Sequence, residues 1–347
     1  MNVLVTGCAG LIGSAAVTLF DALGLRVVGV ENNSRRTFFG PGGDISRNLD
    51  HLHKSCRNFT CEQVDIRDQP QMQRLFSSQQ FDLVIHAAGQ PSHEWSADHP
   101  AEDFQINAMG TLNILESCRV YCPEAVFIFT STNKVYGDRP NRLPLRELAT
   151  RWDFDGESFF FGIPETLSLD QSLHTPYGAS KIAADIMVQE YARYYGLRAG
   201  VFRLGCVTGP RHTGVSNHGF LNHLVRIAMG GERYTIVGYG GKQVRDQLHA
   251  SDLAAAMWAF AQHPNVGEVY NLGGGKENAA SILEYIAIIE SIANRRMEVS
   301  FSAAPRRGDH ICYYSDLRKF RSHYPDWSVD YSVPSMIEQM MQASANS

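Results

Sequence analysis

Short apolar runs alternate with amphipathic stretches through the first half of the chain, which has 347 residues. The short runs are apolar at nearly every position, whereas the longer stretches place their apolar residues at helical spacing. Strands without a polar face are typical of a parallel sheet covered by helices, so the alternation predicts βαβ units and a doubly wound α/β fold. The predicted strands are 3–7, 26–31, 61–66, 81–88 and 125–132, and the predicted helices are 11–23, 69–78, 101–119 and 180–195.

This rhythm changes in two places. Residues 150–174 are aromatic, acidic and punctuated by Gly and Pro, which predicts an ordered excursion over the mouth of an active site; a variable surface loop is the alternative. After about residue 208 the pattern is less regular and richer in Gly and His. We therefore expect a first domain at 1–205 that includes the excursion, and a smaller α/β domain at 206–347 interleaved with it.

Composition and charge exclude several classes of protein. Hydrophobic residues make up 44% of the chain and charged residues 19%, so the chain can bury a substantial core. The net charge is −5 and no basic block stands out, which argues against a nucleic-acid partner. No apolar run is long enough to span a bilayer and the N-terminal residues have no secretory pattern, so we expect a cytoplasmic protein without a membrane partner.

The seven cysteines are scattered along the sequence. Cys118 and Cys122 are one helical turn apart, and no second close pair stands at zinc spacing. This pattern predicts free thiols, no metal site and a reducing compartment.

A glycine-rich segment follows the first predicted strand and opens the first predicted helix. Gly7, Gly10 and Gly13 stand at G-x-x-G-x-x-G spacing, with Leu11 and Ile12 before the last glycine. Glycine permits a tight turn and lets backbone N–H groups approach a pyrophosphate at a helix N-terminus. The segment therefore predicts a Rossmann-type NAD-binding domain.

Polar residues at the ends of the next two strands extend this prediction. Glu31 and Asn32 end the second strand, where a carboxylate accepts hydrogen bonds from both ribose hydroxyls and repels a 2′-phosphate. Arg35 follows closely and argues for a phosphate, but the strand-end position of Glu31 favours NAD over NADP. Asp65 and Ile66 are expected near the adenine; capping of helix 69–78 by Asp65 is the alternative.

Tyr177 and Lys181 stand at Y-x-x-x-K spacing, which places both side chains on one face of a helix. A free tyrosine has a pKa of about 10, and a neighbouring ammonium group together with the positive nicotinamide favours the phenolate and lowers that pKa. The pair therefore predicts a general base for a hydroxyl proton, with Thr132 as the hydroxyl that relays it.

These residues carry a resemblance to the extended short-chain dehydrogenase/reductases, the class of nucleotide-sugar epimerases and dehydratases. The resemblance runs from residue 1 to about residue 320 and implies NAD in the first domain and a nucleoside-diphosphate sugar in the second. It rests on Gly7, Gly10 and Gly13, Asp65-Ile66, His86-Ala87-Ala88, Asn107, Ser131-Thr132, Val135-Tyr136-Gly137, Tyr177, Lys181, the segment 240–253, Asn271-Leu272-Gly273 and the segment 304–309.

The resemblance also implies contacts, position by position. For the cofactor it adds Ala87, Ala88, Gln90, Asn107, Tyr177 and Lys181 to the residues above. For the substrate it implies Gln90, Thr132, Asn133, Lys134, Cys206, Arg245, Arg306 and Asp309, together with the His-rich segment 211–220. Arg245 and Arg306 would pair with the diphosphate and Asp309 with the nucleotide ribose; a local ion pair of Arg245 with Asp246 is the alternative.

Asn133 and Lys134 restrict the expected chemistry. The 4,6-dehydratases of this class carry Asp and Glu directly after the Thr, and an amide and an ammonium cannot replace that acid and base. The resemblance, closest to the CDP-paratose 2-epimerase (tyvelose epimerase) branch, thus implies an epimerase acting at C2 through a transient 2-keto sugar. A UDP-sugar 4-epimerase is the nearest alternative; a non-catalytic NAD-binding sensor or scaffold and a net oxidoreductase are others.

Members of this class associate through two helices in each subunit, here 101–119 and 178–195. The second helix carries Ile182, Ile186, Met187 and Tyr191 at helical spacing. We expect a homodimer, or a tetramer built from it, with burial of these side chains in the subunit's own core as the alternative.

Overall fold

The computed structural model describes residues 1–212, 214 and 219–345. Its strands are β1 (Asn2–Thr6), β2 (Arg26–Val30), β3 (Phe59–Glu62), β4 (Leu83–His86), β5 (Val126–Thr132), β6 (Leu145–Glu147), β7 (Trp152–Phe154), β8 (Arg198–Leu204), β9 (Cys206–Thr208), β10 (Tyr234–Val237), β11 (Val244–His249), β12 (Val269–Leu272), β13 (Ala279–Ser281), β14 (Val299–Ser302) and β15 (Cys312–Tyr313).

The α-helices are likewise numbered in chain order. They are α1 (Leu11–Ala22), α2 (Arg35–Phe39), α3 (Ser46–Ser55), α4 (Gln69–Ser78), α5 (His93–Asp98), α6 (Pro100–Phe104), α7 (Gly110–Tyr121), α8 (Thr175–Tyr195), α9 (Phe220–Gly230), α10 (Ala250–Gln262), α11 (Ile282–Ala293), α12 (Arg318–His323) and α13 (Val333–Ala345). None of the helices in the described ranges is long and apolar enough to cross a membrane.

The chain divides into two compact units. The first unit comprises residues 1–135, 176–203 and 253–270. It is built on a seven-stranded sheet with the order β12-β8-β5-β4-β1-β2-β3, in which β3, β2, β1, β4 and β5 pair in parallel. The sheet order reverses direction after β1, and helices connect successive strands, so the predicted doubly wound α/β class is confirmed.

The buried strands account for the core of the first unit. Val3, Leu4 and Val5 of β1 have no exposed surface, and neither do Ile85 in β4 and Ile128 in β5. Each strand is apolar on both faces because helices cover both faces of the sheet. The pattern of apolar runs therefore predicted β1, β2, β4 and β5 to within about two residues at each end, whereas the predicted strand 61–66 is β3, which ends at Glu62.

The second unit comprises the described residues of the segments 136–175, 204–252 and 271–347. It has a four-stranded sheet in which β11 pairs with β13, β15 and β9, a pair β10–β14, and a hairpin β6–β7. Its core lies between α9, α11 and α13, where Leu224, Tyr285, Ile289, Met336 and Ile337 are fully buried. At the start of α11, Ser281 and Glu284 form a reciprocal capping box.

This partition differs from the predicted boundary at residue 205 in two segments. Residues 136–175, which include the excursion, belong to the second unit, and residues 253–270 belong to the first. The excursion is ordered within its unit: β7 pairs with β6, and the Ile163 N–H donates to the Tyr314 carbonyl oxygen at 2.8 Å. Backbone pairing of this kind depends on distant partners, so local sequence pattern did not reveal it.

The predicted helix 101–119 extends over residues 100–121 but is not α-helical throughout. Between α6 and α7, residues Gln105–Met109 form a π-helical turn. Such turns occur often at functional sites because they shift the register of one helix face. Here the turn holds Asn107, a predicted cofactor contact.

Candidate active site

The glycine-rich turn joins β1 to α1 and contacts the chain that follows β4. Gly7 has a φ of 67°, in the left-handed region, and its N–H donates to the Val30 carbonyl oxygen at 2.8 Å. A Cβ atom on Gly7 would lie 2.8 Å from the Ala88 amide nitrogen, and a Cβ atom on Gly13 would lie 2.1 Å from the Gly7 carbonyl oxygen. Only glycine fits at both positions. Because neither residue has a side chain, the turn can lie close to the N-terminus of α1.

Gly10, Leu11 and Ile12 lie at the helix start, as expected. Gly10 is the N-cap residue with extended backbone, and its N–H donates to the Gly7 carbonyl oxygen at 3.1 Å. Leu11 and Ile12 are half-buried in the first turn of α1. The turn thus exposes the first N–H groups of a helix, which is the geometry that binds a phosphate.

The Glu31 carboxylate accepts hydrogen bonds from three backbone N–H groups. Asn32 and Asn33 donate at 3.0 and 2.9 Å, and Ala9 in the glycine-rich turn donates at 3.3 Å. Burial raises the pKa of Glu31, and these hydrogen bonds oppose that shift. Burial also lowers the pKa of Arg35 to about 10, while the charge of Glu31 raises it. The structure therefore brings both predicted strand-end residues and Arg35 beside the turn.

Asp65 lies beside Asn32, whose amide donates to the Asp65 carboxylate at 3.1 Å. The Arg67 guanidinium also binds this carboxylate, at 2.7 Å. The alternative in which Asp65 caps helix 69–78 is wrong. Asp68 fills that role, because its side chain accepts from the Gln71 N–H at 3.0 Å.

Of three further predicted cofactor contacts, Ile66 packs against α7, and Ala87 and Ala88 contact the glycine-rich turn. Ile66 is buried, and a Cβ atom on Gly110 would lie 2.6 Å from its Cδ1 atom. Ala87 and Ala88 follow β4, and the Ala88 N–H donates to the Thr6 hydroxyl oxygen at 3.2 Å. Backbone atoms of both alanines lie within 3.0 Å of the position that a Cβ atom of Gly7 would take.

Gln90 and Asn107 are held together by two hydrogen bonds. The Gln90 N–H donates to the Asn107 side-chain oxygen at 2.9 Å, and the Asn107 amide donates to the Gln90 carbonyl oxygen at 3.1 Å. Asn107 also donates to the Ser180 hydroxyl at 3.1 Å, and that hydroxyl donates to the Tyr177 carbonyl oxygen at 3.0 Å. Asn107 therefore connects the loop after β4 to the helix that carries Tyr177.

The side chain of Gln90 differs from the expectation that it contacts cofactor and substrate. It is 1% exposed, its amide donates to the Ser92 carbonyl oxygen and to Asp103 at 2.8 Å each, and its oxygen accepts from the Ser92 N–H. The side-chain polar atoms of Gln90 are all hydrogen-bonded within the first unit, and Gln90 holds Asn107 and Asp103 in place through hydrogen bonds.

Asp103 is a buried acid that the sequence analysis missed. It has no exposed surface; one carboxylate oxygen accepts from Gln90 and Asn107, and the other has no hydrogen-bond partner. Burial raises the pKa of Asp103, and its charge raises the pKa values of both Tyr177 and Lys181. Its spacing of four residues from Asn107 on a predicted helix was the available signal.

Tyr177, Thr132 and Lys181 come together where β5 ends and α8 begins. The Tyr177 hydroxyl is hydrogen-bonded to the side chain of Thr132, and the edge of the Tyr177 ring meets the His93 ring at a centroid distance of 4.6 Å. Thr132 also accepts from the Lys134 N–H at 3.3 Å, in the short 3₁₀ turn Asn133–Tyr136. Asn133 is buried and Lys134 half-buried in this turn.

We expect the ammonium and the nicotinamide together to lower the pKa of Tyr177, and in the protein alone this pKa is raised. Burial raises the pKa of Tyr177 to about 12, the Thr132 hydrogen bond lowers it, and the charge of Asp103 raises it. Burial likewise lowers the pKa of Lys181 to about 8. The Lys181 ammonium donates to the Thr130 carbonyl oxygen at 2.9 Å and lies 4.2 Å from the centre of the Phe129 ring.

A buried ion pair fixes the elements behind this site. Asp185, one turn beyond Lys181 on α8, pairs with Arg203 on β8 through two hydrogen bonds of 3.0 Å. The Ser131 hydroxyl on β5 donates to the same carboxylate at 2.6 Å. Asp185 thus holds β5, α8 and β8 in one arrangement, and this sets the position of Lys181 next to Thr130.

In the second unit, Arg245, Asp309 and Cys206 lie together. The Arg245 guanidinium, on β11, pairs with the Asp309 carboxylate and donates to the His310 carbonyl oxygen. Cys206 on β9 is close enough for its charge to influence the pKa of Arg245. The ion pair of Arg245 with Asp246 is wrong: adjacent strand residues face opposite sides, and the Asp246 carboxylate accepts instead from the Ser315 and Gly275 N–H groups.

Arg306 is exposed, and its charge acts on Tyr234 and His223 in the same unit. The predicted His-rich segment 211–220 is described only at 211–212, 214 and 219–220; residues 213 and 215–218 lie outside the described part of the chain. The structure thus brings Arg245, Asp309 and Cys206 together, and Arg306 is exposed three residues before Asp309, whose N–H donates to the Arg306 carbonyl oxygen at 3.2 Å.

Comparison with known proteins identifies this arrangement. The profile of the NAD dependent epimerase/dehydratase family matches residues 3–273, which is more than half of the chain. The chain belongs to this family. The match covers the glycine-rich turn, Thr132 and the Tyr177–Lys181 pair, and it confirms the resemblance inferred from the sequence.

Individual members of the family include both epimerases and dehydratases. The chain is 33% identical to CDP-paratose 2-epimerase of Salmonella typhi, over 98% of either chain. It is 30% identical to dTDP-glucose 4,6-dehydratase of Neisseria meningitidis, over 96% of this chain and 85% of the other. A crystal structure of UDP-glucose 4-epimerase with UDP-glucose from Thermotoga maritima superposes with a TM-score of 0.80 at 27% identity, covering 100% and 99% of the two chains.

NAD is the cofactor named for the family, and the residues present fit it. Backbone atoms of Ala88 and Gly7 lie where Cβ atoms of Gly7 and Gly13 would be, so glycine lets the turn pack tightly at the N-terminus of α1, where a pyrophosphate binds in this fold. Beyond that turn, Glu31 and Asn32 end the second strand of the βαβ unit, where a dinucleotide ribose binds in this fold. The family assignment makes the protein an NAD-dependent enzyme of nucleotide-sugar epimerase/dehydratase type.

Proposed function

We propose that the protein is a nucleotide-sugar epimerase that inverts C2 of its substrate through a transient 2-keto sugar. The composition of the site around Tyr177 supports an epimerase, and the 33% identity to a CDP-paratose 2-epimerase supports the choice of C2. Thr132 is hydrogen-bonded to Tyr177, and the next two residues are Asn133 and Lys134 rather than an acid and a base. Such a site can remove and return a proton at a hydroxyl, and it lacks the groups for elimination of water.

Elimination needs an acid that protonates the leaving hydroxyl and a base that takes a carbon-bound proton. The Asn133 amide does not donate such a proton, and a charged Lys134 does not accept one. The Asp103 carboxyl faces Tyr177 but has no exposed surface, so it does not reach a bound sugar. Dehydration is therefore disfavoured even though dehydratases are among the relatives.

In the proposed reaction, Tyr177 takes the proton of the C2 hydroxyl, and Thr132 hydrogen-bonds the same oxygen. NAD, when bound, supplies a reversible hydride acceptor beside the sugar carbon. The keto sugar rotates within the site, so that its opposite face is reduced. Tyr177 then returns its proton to the oxygen of the new hydroxyl. No net oxidation occurs.

The pKa of about 12 for Tyr177 means that the protein alone keeps this phenol protonated at neutral pH. Because Lys181 is held by Thr130, the phenolate needs further positive charge nearby. We infer that the base becomes active only when the positively charged cofactor is bound beside it, which couples proton removal to the presence of the hydride acceptor.

For the cofactor, the glycine-rich turn would hold the pyrophosphate, and Glu31 and Asn32 the adenosine ribose. Asp65 and Ile66 would border the adenine, and Asn107 would fix the loop after β4. For the substrate, Arg245 and Arg306 would bind the diphosphate as bidentate donors. Asp309 already orients the Arg245 guanidinium, and Cys206 lies beside it.

The experiment is a survey of substrates followed by NMR. Purified protein is incubated with CDP-paratose, CDP-tyvelose and UDP-glucose, and proton couplings locate the inverted carbon. We expect interconversion of the two CDP-sugars at C2 without consumption of added NAD. Inversion at C4 of UDP-glucose would support the 4-epimerase alternative, stoichiometric consumption of NAD would support a net oxidoreductase, and no turnover with bound NAD would support a sensor.

A further inference from the structure

Two thiols from different parts of the first unit meet beside the glycine-rich turn. The Sγ atom of Cys8, which follows Gly7 in that turn, lies 3.6 Å from the Sγ atom of Cys61 on β3. Fifty-three residues separate them in the chain. Neither residue has a role in the proposed epimerase reaction.

The sheet explains why these thiols meet. Strand β2 lies between β1 and β3, and Gly29 of β2 is in register with Cys61. A Cβ atom at Gly29 would lie 2.5 Å from the Cys8 Sγ atom, so any other residue there would fill the space that the Cys8 thiol occupies. Because Gly29 has no side chain, thiols on either side of β2 come into contact across it.

The two thiols differ in access and in acidity. Cys61 lies on the edge strand of the sheet and is half-buried, whereas Cys8 is fully buried. The hydrogen bond between them lowers the pKa of Cys61 and raises that of Cys8; burial, Glu31 and Glu62 oppose the lowering at Cys61. This is the arrangement of an accessible nucleophilic thiol with a resolving thiol behind it.

We propose that Cys8 and Cys61 form an oxidisable site that takes a peroxide and closes to a disulfide, and that this disulfide weakens binding of the dinucleotide. The inference stands apart from the choice of sugar, because it concerns only the turn that holds the cofactor of the family.

The chemistry balances with one peroxide. The Cys61 thiolate attacks a peroxide oxygen and the O–O bond breaks, which leaves a sulfenic acid and, after proton uptake, one water. The Cys8 sulfur then attacks the Cys61 sulfur, the S–O bond breaks, and a second water leaves. Two thiols are oxidised by two electrons, and the peroxide is reduced to two waters.

Closure must move the turn or the edge strand. A disulfide has an S–S length of about 2.05 Å, so the sulfur atoms must approach by roughly 1.5 Å. The Cys8 backbone packs directly on the first turn of α1, because its Cα atom lies 2.7 Å from the position that a Cβ atom of Gly13 would take. Any movement of Cys8 therefore moves the backbone at the N-terminus of α1, which is the element that binds the pyrophosphate. By reciprocity, bound NAD should oppose closure.

The first measurement detects the bond. Protein treated with hydrogen peroxide is alkylated, digested without reductant and analysed by mass spectrometry. We expect a cross-linked peptide pair containing Cys8 and Cys61 that dithiothreitol removes and that saturating NAD suppresses. Cys118 and Cys122 are a matched internal control: both are buried, burial raises their pKa values, and we expect both to stay reduced.

The second measurement detects the consequence. NAD affinity is measured by calorimetry before and after peroxide, without any sugar, so its result does not depend on the epimerase proposal. We expect at least a tenfold loss of affinity that dithiothreitol reverses. In Cys61→Ser, peroxide should no longer lower NAD affinity. In Cys56→Ser, at another half-buried cysteine, peroxide should lower NAD affinity as it does in the wild type.

Two results would overturn the proposal. If Cys8 and Cys61 are both still alkylated after peroxide, or Cys61 passes to sulfinic acid without a cross-link, the pair is not a disulfide site. If the cross-link forms and NAD affinity changes less than twofold, the site has no effect on the cofactor turn.

Discussion

At the scale of single residues, Tyr177 carries the proposed chemistry. Tyr177→Phe keeps the ring packed against His93 and removes the hydroxyl that binds Thr132. Because a positioned acid–base group contributes about 10² to 10⁴ in rate, we expect turnover to fall by at least a hundredfold while NAD affinity stays within threefold. Steady-state kinetics and calorimetry measure the two quantities. A variant that kept more than a tenth of the rate would show that another group is the base.

Asp103 provides a second test at this scale, through pH dependence. Its negative charge favours the protonated forms of Tyr177 and Lys181 and so raises both pKa values. Asp103→Asn should lower both, so the rise of activity with pH and its fall at higher pH should both move to lower pH.

The matched control for Asp103 is Glu102→Gln. Glu102 is the adjacent residue, and its exposed carboxylate pairs with Arg67 at 3.4 Å rather than facing Tyr177. We expect its profile of rate against pH to match that of the wild type. If Asp103→Asn loses rate but neither limb of its profile of rate against pH is displaced, then Asp103 acts only by accepting hydrogen bonds from Gln90 and Asn107.

These residue-level roles could be predicted only in part. Tyr177, Lys181 and Thr132 were found because spacing on a helix and position at a strand end identify them. The direction of the Tyr177 pKa shift was not predicted, since the burial of Tyr177 and the hydrogen bond from Lys181 to the Thr130 carbonyl oxygen depend on tertiary structure. Asp103 was missed because a single acid on a predicted amphipathic helix normally faces solvent.

At the scale of elements, the glycine-rich turn offers a controlled comparison. Gly7→Ala would place a Cβ atom 2.8 Å from the Ala88 amide nitrogen at a φ of 67°. Gly24→Ala has a similar φ of 76° but no atom within 4 Å. Left-handed backbone costs a non-glycine residue about 1 kcal/mol in either variant, so the difference between them isolates the contact with Ala88.

We expect Gly7→Ala to lower NAD affinity at least tenfold and to reduce the free energy of unfolding more than Gly24→Ala does. Gly24→Ala should bind NAD as the wild type does. Calorimetry and urea titration give the two numbers. Equal NAD affinity for both variants would mean that the turn does not hold the cofactor.

Elements with strong periodicity were predicted well. Helix 69–78 has the predicted bounds, and β5 begins one residue after the predicted strand. The short helices α2, α3 and α5 were missed, because they are polar and gain their order from contacts such as the Phe38–Trp95 ring pair, at a centroid distance of 4.8 Å. The π-helical turn that holds Asn107 has no sequence signature that periodicity detects.

At the scale of the whole molecule, interleaving of the two units was predicted, but the segments that belong to the other side of residue 205 were not. The last strand of the seven-stranded sheet, β12, comes from residues 269–272, beyond the predicted boundary at 205. Strand partners so distant in sequence are chosen by packing, and local composition does not encode them.

We propose that the protein forms a homodimer through α8 and the helices α6–α7. Ile186 on α8 is 45% exposed, and Phe104 and Met109 are 45% and 44% exposed, whereas Tyr191 of the predicted stripe is buried. Ile186→Glu should convert the dimer to a monomer, and Leu23→Glu, at a similarly exposed apolar residue directly after α1, should not. Light scattering measures the mass. A monomeric wild type, or a dimeric Ile186→Glu, would contradict the proposal.

The account depends on one event, the removal and return of a hydride at a single sugar carbon while Tyr177 handles only the hydroxyl proton. The most direct measurement is the epimerisation of CDP-paratose in deuterium oxide, followed by NMR of the product. We predict inversion at C2 with hydrogen, not deuterium, on that carbon, because the hydride never exchanges with solvent. Deuterium at C2, or inversion at C4 with C2 unchanged, would contradict the account.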